Sequence, residues 1–212
     1  SKAGQTSTGD GSPFTFIFIA KQAEKVLDFK DLDSFDLQER KSSDYKYVSS
    51  NSTFIDTSIT NILSTAGFEV VSYSDVIIQC GGPTFEEIET SINQEDKISP
   101  IIRKSIIEAC TKCDIDYLAI GILDIGIKSK VDTDQNREIS VSVQSQVWNI
   151  QDKLPRVIAA VGPITSDANE KDDITTIKKA LVDPADSVAR NIVDQLNACL
   201  LYTSDAADDL WC

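Results

Sequence analysis

Ile139, Val141, Val143, Ser145 and Val147 alternate with Ser140, Ser142, Gln144, Gln146 and Trp148. Successive side chains of a strand point to opposite faces, so this period of two predicts a strand with one covered face and one wetter face. A polar stretch around Gln151–Pro155 then leads into Val157-Ile158-Ala159-Ala160-Val161, and residues 139–165 read as a long antiparallel hairpin. A two-stranded hairpin is marginal alone in water, so the covered face demands further strands and something packed on them.

The rest of the chain supplies those partners. Phe14, Phe16 and Phe18 alternate with Thr15, Ile17 and Ile19, a run apolar on both sides that predicts a buried central strand. Tyr117 to Ile127 is the longest strand candidate, with Gly121 and Gly126 permitting a bend or a close backbone approach. Ile55, Ile59, Ile62, Leu63 and Ala66 recur at helical spacing behind the capping residues Asn51 and Ser52, and Gly67 ends the run. Asn51-Ser52-Thr53 also has the form of a glycosylation acceptor, but its place at a helix start reads as a cap. Phe68 to Tyr73 reads as a strand, Cys80-Gly81-Gly82-Pro83 as a break, and Phe85 to Ile92 as a short helix. Ser99-Pro100 opens a stronger helix with Ile102, Ile106 and Ala109 on its buried face. A final helix from Pro184 to Ala198 sets Val188, Ile192, Val193 and Leu196 on one stripe, while residues 22–46 give no clear element. This order predicts an α/β (α+β) fold, a mixed sheet with helices packed on it, rather than a repeated βαβ unit.

Residues 1–13 read as a disordered leader or linker and 14–198 as one α/β domain. From Cys199 to Asp208 the sequence resembles, codon by codon, the translation of a sequencing adapter, so 199–212 is expected to be a non-native tail. Its removal would take Asp205, Asp208 and Asp209 and change the net charge from -14 to -11.

Composition narrows function by exclusion. With 34 acidic against 20 basic residues in 212, the chain is not expected to bind nucleic acid or anionic lipid non-specifically, since both need a concentrated positive field. The apolar run Phe14 to Ala20 falls far short of the roughly 20 residues that span a bilayer, so no transmembrane segment is expected. Histidine is absent, which removes the commonest general base and the commonest metal ligand.

Cys110-x-x-Cys113 is the one motif that could carry redox or metal chemistry. Thiolate-stabilising pairs sit at helix N-termini, whereas this one follows Ile106 and Ile107 at a helix end, where the dipole opposes the thiolate. A zinc site needs four ligands, and with Cys199 and Cys212 set aside in the expected tail only Cys80 remains to join the pair. Cys80, Cys110 and Cys113 are therefore read as structural: buried thiols, or a disulfide that involves Cys80. The acidic groups Asp132, Asp134 and Glu138, and Glu170, Asp172 and Asp173, lack EF-hand spacing and read as solvated loop charge. Glu86, Glu87 and Glu89 read as the exposed face of a short helix, Gly81-Gly82 has no Walker lysine, and no Gly-x-Ser-x-Gly elbow occurs. No catalytic, cofactor-binding or metal-binding residue is assigned.

Ala66-Gly67-Phe68-Glu69-Val70-Val71-Ser72-Tyr73 and Asp116-Tyr117-Leu118-Ala119-Ile120-Gly121 resemble a group of bacterial envelope proteins. The group includes the curli-secretion CsgG family, the TolB N-terminal domain, the flagellar assembly protein T and the penicillin-binding-protein activator lipoproteins. Its members share a helix ending in Gly-Phe-x-Val, a helix leading into an Asp-Tyr-x-x-x-Gly strand, a long amphipathic hairpin and a final helix. The resemblance spans roughly 51–198, and the chain departs from it in the hairpin turn from Asn149 to Pro155. It implies a non-enzymatic interaction or assembly domain without a cofactor, lipoprotein-like, in the periplasm or at the outer membrane, with envelope proteins or a second copy as partner. The alternatives are a small-molecule or divalent-cation-binding protein that uses the acidic loops, and a thiol-dependent enzyme at Cys110 and Cys113.

Overall fold

The computed structural model describes residues 9–23, 45–46, 52–95, 97–129, 137–169 and 174–205. Strand β1 (Pro13–Ala23) lies inside a six-stranded mixed sheet. On one side it runs parallel to β4 (Tyr117–Ser129), in register from Phe14 opposite Tyr117 to Gln22 opposite Ile125. Its other edge is shared by two short strands, β2 (Tyr45–Lys46), antiparallel at Gln22 and Ala23, and β3 (Glu69–Val70), parallel at Pro13 and Phe14. Beyond β4 come β5 (Arg137–Asn149) and β6 (Arg156–Asn169), both antiparallel, so the order is β2-β1-β4-β5-β6. The hairpin predicted at 139–165 is therefore β5 and β6, with the turn where the polar stretch stands.

Helices cover the sheet on both faces, as the α/β (α+β) expectation requires. Helices α1 (Ser52–Thr65) and α5 (Ile174–Asp205) occupy one side. There Ile55, Ile59 and Leu63 meet Val188, Ile192 and Leu196 over Phe14, Phe18, Leu123, Val141, Val143 and Val147. Helices α2 (Tyr73–Cys80), α3 (Phe85–Glu95) and α4 (Pro100–Lys112) occupy the other. There Val76, Ile88, Ile92 and Ile106 close over Ile17, Ile19, Leu118 and Ile120. The two-sided apolar pattern of β1 is thus used by two separate cores.

Three boundaries differ from the sequence reading. The strand expected over Phe68 to Tyr73 shrinks to Glu69–Val70, because the Ser72 hydroxyl accepts from the Ser74 N–H at 3.2 Å and starts α2 at Tyr73. The last helix begins at Ile174, with Pro184 inside it rather than at its start, and it runs on to Asp205 beyond the boundary expected at Ala198. The chain is anchored ahead of Phe14: the Gly9 N–H donates to Ala66 O and the Gly11 N–H to Gly67 O, each at 2.9 Å. Gly9 approaches the Gly67–Phe68 backbone so closely that a Cβ there would overlap it. Residues 1–8 of the expected leader, Asn51 and residues 206–212 of the expected tail lie outside the described residues.

Asp56 stands half-buried on α1, and burial pushes its carboxyl pKa from an ordinary 3.8 up to about 6. Folding therefore favours the protonated form. This contribution is fully present below pH 3.8, is lost as the pH rises through about 6, and does not return at higher pH. Asp56→Asn is expected to raise the midpoint of thermal unfolding by a few degrees at neutral pH and to leave it unchanged below about pH 4, water at the half-buried site keeping the gain modest. Melting curves across that pH range check it; an equal gain at every pH would mean that the effect is not the titration of Asp56.

Candidate functional site

On the α2–α4 side the apolar core takes in β1, β4 and Trp148 near the end of β5, while positions farther along β5 and on β6 stay open. Ser142, Gln144, Gln146 and Trp148 project on this side from β5, alternating with the buried Val141, Val143, Ser145 and Val147. Gln144 and Gln146 are exposed, as are Ala160, opposite Gln146 on β6, and Val157, opposite Trp148. The wetter face predicted from the alternation is thus a real open surface, bounded by α4 as a wall.

Two adjoining hollows make this surface a groove. One, of about 470 Å³, lies over Ile120, Ile122, Gln144, Gln146 and Trp148, with Lys97 and Arg103 at its rim. The second, of about 700 Å³, lies between the outer side of α4 and the hairpin, with Ile107, Trp148, Pro155 and Val157 as its apolar lining. Arg103 and Trp148 belong to both. Trp148 is 7% exposed, so it forms floor rather than projection, whereas Val157 is 51% exposed and Leu154, in the turn, 71%. Exposed aliphatic groups at a groove margin are what a binding surface presents before it is covered.

Local chemistry fixes both walls. Ser99 caps α4 through Oγ, which accepts from the Ile102 N–H at 3.3 Å, and Pro100 occupies the first turn where no N–H is needed. Ile106, Ala109 and Cys110 bury one side of α4. Arg103, Lys104, Ile107 and Thr111 are thereby turned to the groove. Across from them, Ile150 is buried and its N–H donates to Asp116 O at 2.9 Å, tying the start of the turn to the start of β4.

The three cysteines read as structural divide two to one. Cys80, at the end of α2, and Cys113, the C-cap of α4, form a disulfide with Cα atoms 5.9 Å apart. Cys110 is free and wholly buried, and burial pushes its thiol pKa up to about 12. The Cys110-x-x-Cys113 pair therefore does not act as a unit. One member staples α4 to α2, and the other lies in the core as an un-ionised thiol.

Among the acidic groups, Asp132, Asp134, Glu170, Asp172 and Asp173 lie outside the described residues, and Glu138 lies on β5. Among the described residues no group of three acidic or cysteine side chains is arranged to hold a metal ion. Glu87 serves its own helix, since its carboxylate accepts from the Thr84 N–H at 2.7 Å while the Glu87 N–H donates to Thr84 Oγ1 at 3.3 Å, a capping box at the head of α3. Glu86 is exposed, and Glu89 is half-buried, its carboxyl pKa raised by burial and then by the charge of Glu86.

The groove itself was missed as a site by the sequence reading. Its signal was Trp148 on the wetter face of an otherwise glutamine and serine row, but the residues that complete it stand at 97, 103 and 157, far apart in the chain.

No family model and no curated protein matches the chain. Among solved structures it is similar to a hypothetical protein of Chlamydia trachomatis, 9% identical over 89% of this chain and 99% of that one, with a TM-score of 0.46. It is similar also to a lipoprotein of Neisseria meningitidis, 11% identical over 86% of this chain and 99% of that one, with a TM-score of 0.42. A protein of Xanthomonas campestris is 8% identical over 92% of this chain and 88% of that one, with a TM-score of 0.39. These similar structures are all bacterial proteins, one of them a lipoprotein.

Proposed function

We propose that this chain is a non-enzymatic interaction module of a bacterial cell envelope, periplasmic or at the outer membrane, and that it meets envelope proteins through the groove between α4 and the β5–β6 hairpin. The observation that carries the reading is the half-open sheet face, a floor around Trp148 with exposed Val157 in its lining. The Cys80–Cys113 disulfide supports an oxidising compartment, since such bridges persist outside the cytosol. The likeness of Ala66 to Tyr73 and Asp116 to Gly121 to envelope assembly proteins supports the same setting. A non-enzymatic role is favoured by the thiol of Cys110, which is buried and held un-ionised rather than offered as a nucleophile. Among the described residues no helix is long and apolar enough to cross a membrane.

The groove is a better contact surface than the sheet edges. At the β6 edge, the Gln195 side-chain amide accepts from the Ala160 N–H and donates to Ala160 O, both at 3.1 Å, taking the place of a neighbouring strand's peptide group. Pro163 contributes no N–H to that edge. At the other side of the sheet, β2 and β3 already pair with the outer edge of β1.

The test is affinity capture from a bacterial envelope extract with the wild-type chain and with Val157→Arg, a change at an exposed position that leaves the core intact. A protein retained by the first and lost from the second is the expected result. Retention of the same proteins by both, or capture of cytosolic proteins alone, would overturn the reading.

A further inference from the structure

Resting on that reading of the groove, we propose that its occupant is an acidic, extended peptide segment of a partner protein. The chain as a whole carries a net charge of -14, yet five of its 20 basic residues gather at this one place. Lys97 comes from the segment before α4, Arg103, Lys104 and Lys112 from α4, and Lys153 from the hairpin turn. Among the described residues that line the groove, Glu108 and Asp152 are the acidic ones. Lys104 pairs with Glu108 at 3.7 Å, with side chains 77% and 59% exposed, too open to neutralise the site. Among the described residues no ion pair holds Lys97, Arg103, Lys112 or Lys153. A positive groove on a negative molecule concentrates attraction for negative charge at one place, and it steers a short acidic segment to that address.

The floor gives the segment its form. Gln144 and Gln146 stand exposed on β5, and each side-chain amide offers both a donor and an acceptor, the pair of functions that an extended peptide backbone presents. Trp148, Ile107 and Val157 form an apolar seat between the cationic rims, suited to an aromatic or aliphatic side chain within the acidic run. A lipid headgroup layer is flat and would meet the rims without reaching Trp148, which is 7% exposed.

Random dodecapeptides displayed on phage, selected against the full chain, test this directly, with synthetic copies of the recovered peptides titrated by fluorescence anisotropy. The expected peptides are rich in Asp and Glu around one aromatic or aliphatic residue. Their affinity should fall about tenfold or more in the Arg103→Glu and Lys153→Glu double variant, and similarly between about 50 and about 500 mM NaCl. Both changed positions are exposed, so an unaltered circular dichroism melt separates lost binding from lost folding. Recovered peptides without acidic excess, or acidic peptides indifferent to the charge reversal, would overturn the proposal. If neutral peptides bind and Val157→Arg abolishes them, the groove stands as a contact surface and only the acidic occupant falls. If no peptide depends on Val157, Arg103 or Lys153, both fall. Co-sedimentation with phosphatidylglycerol vesicles through Arg103 and Lys153, without peptide binding, would also overturn it in favour of a lipid surface.

Discussion

Phe14→Ala is expected to destabilise the fold by about 4 kcal/mol, the largest loss from any one side chain considered, because the cavity it leaves cannot close. Phe14 is wholly buried and packs edge-on against Phe68 at a centroid distance of 5.2 Å, with Tyr117 at 6.1 Å. Phe68 and Tyr117 also meet edge-on at 5.8 Å, so the three rings brace one another. The backbone around them is pinned: the Val71 N–H donates to Phe14 O at 2.9 Å and the Asp116 N–H to Pro13 O at 3.0 Å. Three segments distant in sequence converge here, and none can shift inward alone. Urea denaturation of the variant and the parent measures the loss; at this chain length it corresponds to a melting decrease of roughly 10 °C. A loss under about 1 kcal/mol would mean that the site relaxes after all.

Cys80→Ser should cost between about 3 and 4 kcal/mol through the denatured state, where the disulfide no longer shortens the chain between α2 and the end of α4. The bridge spans a sequence separation of 33 residues, a loop long enough for its closure to restrict the unfolded chain appreciably. Cys113→Ser should show the same loss, and the double variant no more than either single one, since both remove one bond. Reductant should lower the melting temperature of the parent and leave both variants unmoved. A parent insensitive to reductant, or a variant still sensitive, would contradict the pairing. Cys110 adds no complication: its thiol is buried and, with a pKa pushed to about 12, stays out of exchange near neutral pH.

How far the sequence could lead depended on whether a pattern was local. The hairpin was legible because β5 alternates without interruption, and Ser99-Pro100 was legible because capping and the tolerance of proline at a helix start are decided within a few residues. Helix α2 was hidden by Ser72, whose capping role lay inside what looked like a continuing strand. The start of α5 was hidden by Pro184, a residue usually found at a first turn but here buried within the helix. For the cysteines, spacing could exclude a thiolate pair but could not choose between buried thiols and a bridge, because Cys80 reaches Cys113 only once α2 packs on α4. The groove needed the whole sheet. Arg103, Trp148 and Val157 become neighbours only after β5 and β6 are laid beside β4 with α4 above them.

Helix α4 is held at one end by its Ser99 cap and at the other by the bond from Cys113 to Cys80, while Ile150 secures the facing hairpin. These ties hold the backbone of both walls in place. On the proposed reading, the backbone entropy surrendered on association belongs to the visitor, and the host gives up only the freedom of exposed side chains such as Arg103 and Lys153. A visitor already stiffened into an extended shape would gain affinity on that account, whereas further bracing of this chain would add little.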